Sequence, residues 1–199
     1  TAGGAPALRL VDVGTGSGAI ALALALAKEL PSAEIYATDI SEEALEVARA
    51  NAARHELAPR IHFHRADLLA GVALADAAVT GKSLVPVSHS APLPQGEFDF
   101  VVSNPPYVGE AEEDQVQLEV RKFEPRTAVF AGSTGLEVIE RLIPQAREAL
   151  RPGGWLVFEI SGTIAEGVQR LLSGWDQVAI TNDLQGIARV ARASKATRG

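Results

Sequence analysis

The chain of 199 residues contains no cysteine. That excludes a disulfide framework, a zinc finger and a thiol nucleophile, and it fits a reducing compartment. Long apolar runs are missing too: the longest, residues 19–27, is far short of the roughly 20 residues that a membrane span requires. This run also lacks the basic leader and cleavage site of a secretory signal. Cationic residues are outnumbered, 18 Lys and Arg against 25 Asp and Glu, for a net charge of −7. Proteins that grip nucleic acid by its phosphates show a basic face, so a direct nucleic-acid partner is not expected. Methionine is absent and the chain opens at Thr1-Ala2-Gly3-Gly4, so it is expected to be a piece whose natural start lies upstream.

What is present suits a core-forming globular chain, with 47% hydrophobic and 22% charged residues. Apolar runs at 8–13, 34–38, 60–64, 98–103 and 154–160 read as strands. Between them, helices are expected over 17–30, closed by Pro31, and from a Ser41 cap to about 55. A further helical pattern covers 135–150, where Pro144 should kink or split it, and another covers 164–172. Strands near 177–181 and 187–191 lie close together and suggest an antiparallel hairpin at a sheet edge. Alternating strands and helices predict an α/β, doubly wound, mostly parallel sheet of seven strands in one domain over 1–199. Residues 70–97, rich in Gly and Pro with little periodicity, read as a mobile insertion.

Asp12-Val13-Gly14-Thr15-Gly16-Ser17-Gly18 lies between the first strand and the first helix. Glycines let a backbone turn sharply and approach a ligand, and a helix start offers free N–H groups. The Gly-x-Gly-x-Gly spacing differs from the dinucleotide pattern, and the loop has no Lys for a polyphosphate. Asp39, at the end of the second strand, is placed to accept both hydroxyls of a ribose, and Asp67 ends the third strand at the same sheet edge. Three acids near strand ends favour a nucleoside ligand that bears a cationic group.

After the fourth strand comes Asn104-Pro105-Pro106-Tyr107. Pro105 and Pro106 stiffen the loop and leave carbonyls as acceptors, and Asn104 adds a side-chain carbonyl. Two acceptors on a rigid loop can hold a planar –NH2 group while Tyr107 packs on its plane. Such a site suits methylation of an amide or exocyclic amine nitrogen.

Together these two elements resemble the class I S-adenosylmethionine-dependent methyltransferases that act on nitrogen. Glu124-Pro125-Arg126, Gly132, Gly135-Leu136 and Leu150-Arg151-Pro152-Gly153-Gly154 through Glu159-Ile160 narrow the resemblance to the PrmC/HemK family. That resemblance implies a Rossmann-like methyltransferase fold and transfer of a methyl group to the glutamine N5 of the Gly-Gly-Gln motif in peptide chain release factors, a step of translation termination. It implies S-adenosylmethionine as cofactor, with Asp12, Gly14, Thr15, Gly16 and Gly18 along its methionine part, Asp39 on the ribose and Asp67 by the adenine. Asn104, Pro105, Pro106 and Tyr107 would form the catalytic loop around the glutamine amide, Asn104 also lying beside the cofactor. Family members carry a small helical N-terminal domain that residues 1–199 do not include. A monomer in the bacterial cytoplasm or an organellar matrix is the implied setting.

Two alternatives stay open at the level of sequence: a nucleic-acid amine methyltransferase, which would also present an –NH2 to this loop, and a catalytically silent binding subunit of the same fold. His62 and His64 read as a strand-surface pair with no third ligand, so no metal site is expected. Trp155 and Trp175 read as packing residues, and Arg189, Arg192, Lys195 and Arg198 as a solvated tail.

Overall fold

The computed structural model describes residues 7–71, 93–109 and 130–197. The Glu124-Pro125-Arg126 block and most of the expected insertion, residues 72–92, lie outside the described residues. Strands β1 (Arg9–Val13), β2 (Glu34–Asp39), β3 (Ile61–Asp67), β4 (Ala70–Gly71), β5 (Phe98–Ser103), β6 (Leu150–Glu159), β7 (Asp176–Asn182) and β8 (Ala188–Ser194) form one sheet. Its order is β4-β3-β2-β1-β5-β6-β8-β7. β3, β2, β1, β5 and β6 run parallel, and β8 and β7 close the edge as an antiparallel hairpin. The two-residue β4, antiparallel to β3, is added to the seven expected strands and takes up the first residues of the supposed insertion.

Helix α1 (Ala19–Leu26) is shorter than its apolar pattern suggests. Ala27 turns to extended backbone at ψ 122°, and the Arg60 guanidinium takes the carbonyls of Ala25 and Leu30. Those carbonyls are satisfied without a further helical turn. Helix α2 (Glu42–Arg54) starts as read, with the Ser41 hydroxyl accepting the Ala44 N–H at 3.2 Å. Helix α3 (Glu137–Ala149) runs through Pro144 as one element and is not split. Pro144 and Glu140, whose carbonyl loses its partner there, both lie on the solvent face, where the freed group is open to solvent. Helix α4 (Ala165–Leu171) follows a 3₁₀ turn at Gly162–Ile164.

From β1 the chain steps through α1 and α2 to β2 and β3; from β5 it steps the other way through α3 to β6. Right-handed crossovers therefore place the two helix pairs on opposite sheet faces. The cores match: Ala21, Ala25 and Ala52 pack on Ile35, Ala37 and Ile61, whereas Ile139, Leu142 and Val168 pack on Val11, Val13, Val101 and Phe158. Between β1 and β5 the strand order reverses. In open α/β sheets the ligand crevice forms at the carboxyl ends of the strands at such a point.

The basic residues near the C-terminus are not a solvated tail. Arg189 pairs with Glu159 and Asp183, Arg192 lies over the Trp155 ring, and the Lys195 ammonium donates to the Leu150 carbonyl at 2.6 Å. Strand β8 recruits them because it is paired on both sides. Trp175 is buried as read, and Arg198 lies outside the described residues. His62 is exposed, but His64 is buried with its ring 5.7 Å from that of Tyr36.

Candidate functional site

Strand register brings the two motifs together. Val13 pairs with both Thr38 and Ser103, and Ser103 with Phe158, so Asp39, Gly14, Asn104 and Glu159 follow one another along the carboxyl edge. The Ser103 hydroxyl donates to the Val13 carbonyl at 2.7 Å, lacing β5 to β1 where both loops begin.

The glycine loop is held from below and open above. Asp12 is fully buried; its Oδ2 accepts the Thr15 hydroxyl at 2.6 Å and the Ala21 N–H at 3.1 Å. It thereby caps α1, whose own N-cap, Gly18 at φ 87°, has no side chain to do so. Asp12 Oδ1 is buried with no hydrogen-bond partner among the described residues. Burial pushes the Asp12 carboxyl up to about 6, against the pull of the Thr15 and Ala21 hydrogen bonds, with nearby Asp39 adding to the rise. Gly18 is buried against Ala48 of α2, 3.1 Å from where a Cβ would sit. Gly14 and Gly16 differ: both have positive φ, 69° and 55°, and face open space. Asp12, Thr15 and Gly18 shape the loop from beneath, and Gly14 and Gly16 present its open backbone.

Asp39 stands at the rim. Its Oδ2 accepts the Gly16 N–H and its Oδ1 the Ser41 N–H, both at 2.9 Å, leaving each oxygen a lone pair. Beside it Ile40 is 57% exposed, an apolar wall at a polar edge. Asp67 ends β3 and is ion-paired with Arg141 of α3.

Asn104 is exposed at the end of β5, Pro105 is buried, and Pro106 and Tyr107 are half-buried. Past them, Val108 bridges to Phe130 and its carbonyl accepts the Ala131 N–H at 3.0 Å. Gly135, at φ 78°, lies so close that a Cβ there would be 2.5 Å from the Tyr107 carbonyl oxygen. Glu137 holds the turn before α3 by accepting the Thr134 N–H and Ser133 hydroxyl; although partial burial pushes its carboxyl up, these bonds hold it down at about 2. The Tyr107 hydroxyl donates to Glu159 Oε1 at 2.9 Å.

Sequence reading did not single out Ile40 or Glu159 as site residues. An apolar residue directly after a strand-end acid, and an acid ending the next parallel strand, were the signals available. Elsewhere, a cavity of about 720 Å³ lies at the amino ends of the strands, far from this edge, with Arg9 and Arg151 paired to Glu34, Glu97 and Asp99. Among the described residues no three His, Asp or Glu side chains converge as a metal site, and no helix is long and apolar enough to cross a membrane.

A family model described as a methyltransferase domain matches residues 5–167. The chain belongs to the methyltransferase-domain family. This methyltransferase domain is 44% identical over 171 residues to the release factor glutamine methyltransferase of Koribacter versatilis, covering 86% of the chain and 53% of that relative. With the protein of the same name from Rhodopirellula baltica it shares 35% identity over 195 residues, 96% of the chain and 58% of the relative. The methyltransferase domain thus spans about half the length of these curated relatives. Its fold is shared with the ribosomal protein L11 methylase of Lactobacillus delbrueckii, at TM-score 0.58 and 24% identity over 98% of the chain and 73% of that structure. TrmN from Thermus thermophilus shares it too, at TM-score 0.59 and 23% identity, over 96% of the chain and 44% of that structure.

Proposed function

We propose that this domain transfers the methyl group of S-adenosylmethionine to the side-chain amide N5 of the glutamine in the Gly-Gly-Gln motif of peptide chain release factors. The observation that carries the reading is the adjacency of the glycine loop and Asn104-Pro105-Pro106-Tyr107 across the switch point between β1 and β5. The similarity to relatives named release factor glutamine methyltransferase supports glutamine rather than another amine as the acceptor.

The residues at the edge fit the cofactor. Gly14 and Gly16 form an open cradle that a Cβ would fill, Asp39 keeps acceptor capacity for two ribose hydroxyls, and Ile40 offers an apolar face to a base. Asp67 lies by the base with Oδ2 committed to Arg141. Asp12, Thr15 and Gly18 serve the same site by holding the loop. S-adenosylmethionine, when bound, supplies an electrophilic methyl on a sulfonium.

Positioning is what the chain contributes. A glutamine amide nitrogen is a poor nucleophile because its lone pair is delocalised. The Asn104 side-chain carbonyl and the Pro105 backbone carbonyl accept its two N–H groups and stabilise the positive charge that grows on nitrogen. Pro106 keeps the loop stiff, and Tyr107 flanks the amide plane. No strong general base is required, because the alkylated amide is acidic enough to lose its proton to water.

The protein acts as a monomer on a protein substrate, in the bacterial cytoplasm or an organellar matrix, and its net charge of −7 argues against a direct grip on nucleic acid. Incubation with labelled S-adenosylmethionine and either a release factor, DNA or ribosomal RNA tests this. Label in the release factor alone is expected; label in a nucleic acid would move the substrate to an exocyclic amine.

A further inference from the structure

We propose that Glu159 and Arg189 are positioning residues for Tyr107, and through it for the amide received by Asn104 and Pro105; this rests on the function proposed above. Three strands meet here. Tyr107 follows β5, Glu159 ends β6, and Arg189 lies in β8. The phenol donates to Glu159 at 2.9 Å, and Arg189 reaches the same Glu159 oxygen at 3.8 Å and Asp183 at 3.1 Å. Asp183 Oδ1 accepts the N–H groups of Gln185 and Ile187, so the relay ends on the rigid turn between β7 and β8.

At its other end Tyr107 is clamped through its backbone, packed against Gly135. A ring held at its hydroxyl and its main chain has one orientation to offer a planar substrate. Burial, and then the Glu159 carboxylate, push the Tyr107 phenol up from its ordinary range, against a smaller downward pull from Arg189. The side chains of Glu159 and Arg189 are 32% and 39% exposed, and ion pairs of that exposure contribute little to stability. The effect of the relay therefore falls on the placement of Tyr107 rather than on the fold.

The test is steady-state methylation of a release factor, with S-adenosylmethionine affinity measured separately by calorimetry. Glu159→Ala is expected to lower kcat about 10-fold, since small misplacements at a reacting centre are costly, with the cofactor Kd within about 2-fold. Glu159→Gln, whose side-chain carbonyl still accepts a hydrogen bond from the phenol, should recover to within about 3-fold of the wild type. Tyr107→Phe combined with Glu159→Ala should be no worse than the poorer single variant, because both break one contact. Multiplying losses, a Gln variant as poor as Ala, or an equal loss of cofactor affinity would each overturn the relay. A wild-type protein that binds the cofactor but leaves the glutamine unlabelled would instead bring down the function itself, and this inference with it.

Discussion

Asp39 Oδ2 accepts the Gly16 amide N–H at 2.9 Å, so the acid that ends β2 is bonded to the loop that leaves β1. One carboxylate therefore sets the shape of the glycine loop and faces the proposed ribose position. Loss of Asp39 should be felt as lost cofactor affinity. Asp39→Ala is expected to weaken S-adenosylmethionine binding about 10- to 100-fold, the range for removing a charged hydrogen-bonding partner. Calorimetry reads this directly, and an unchanged Kd would remove Asp39 from the site.

Asn104 is assigned the opposite signature. Asn104→Ala should lower the methylation rate by about 100-fold or more, as does loss of one key electrostatic contact elsewhere, with a much smaller loss of cofactor affinity. Initial rates at saturating S-adenosylmethionine measure it. Near-normal turnover would sink the assignment.

Gly135 supports the target loop from behind. Its φ of 78° and the 2.5 Å approach of a Cβ to the Tyr107 carbonyl leave no room for alanine. Gly135→Ala is expected to displace Tyr107 and to destabilise the fold by roughly 1–3 kcal/mol, with a larger loss in turnover than in cofactor binding. Urea unfolding and methylation rates on the same preparation separate the two effects.

Asp12 makes stability depend on pH in an unusual direction. Its carboxyl is raised from 3.8 to about 6 by burial, so the native state holds this proton more tightly than the unfolded chain. The contribution is fully present below about pH 4, is lost as pH rises through 6, and is constant above that. Relative to Asp12→Asn, which does not titrate, the wild type should lose roughly 2 kcal/mol between pH 4 and pH 7. Denaturant unfolding of both proteins across that range checks it; parallel stability curves would show that Asp12 does not titrate there.

Much of this was legible in advance. The limits of β5 at Phe98–Ser103 and the Ser41 cap followed from local chemistry, an unbroken apolar run and a hydroxyl at a helix start. Misreadings arose where distant residues decide. Arg60, 34 residues beyond Leu26, ends α1; of the two outcomes expected at Pro144, a kink or a split, the split does not occur. At the site, residue types identified Asp39 and Asn104, but the division of labour within the loop was hidden. That Gly18 packs on Ala48 while Gly14 and Gly16 face open space depends on where α2 lands. Glu159 gained its partner Tyr107 only through the pairing of β5 with β6.

The most direct test of the central claim is to locate the methyl. A release factor treated with the protein and labelled S-adenosylmethionine is digested, and mass spectrometry reads the Gly-Gly-Gln peptide. The account predicts one added methyl on that glutamine, abolished when the glutamine is replaced and strongly reduced with Asn104→Ala. A methyl on another residue, or an unmodified peptide from a protein that binds the cofactor, would contradict it.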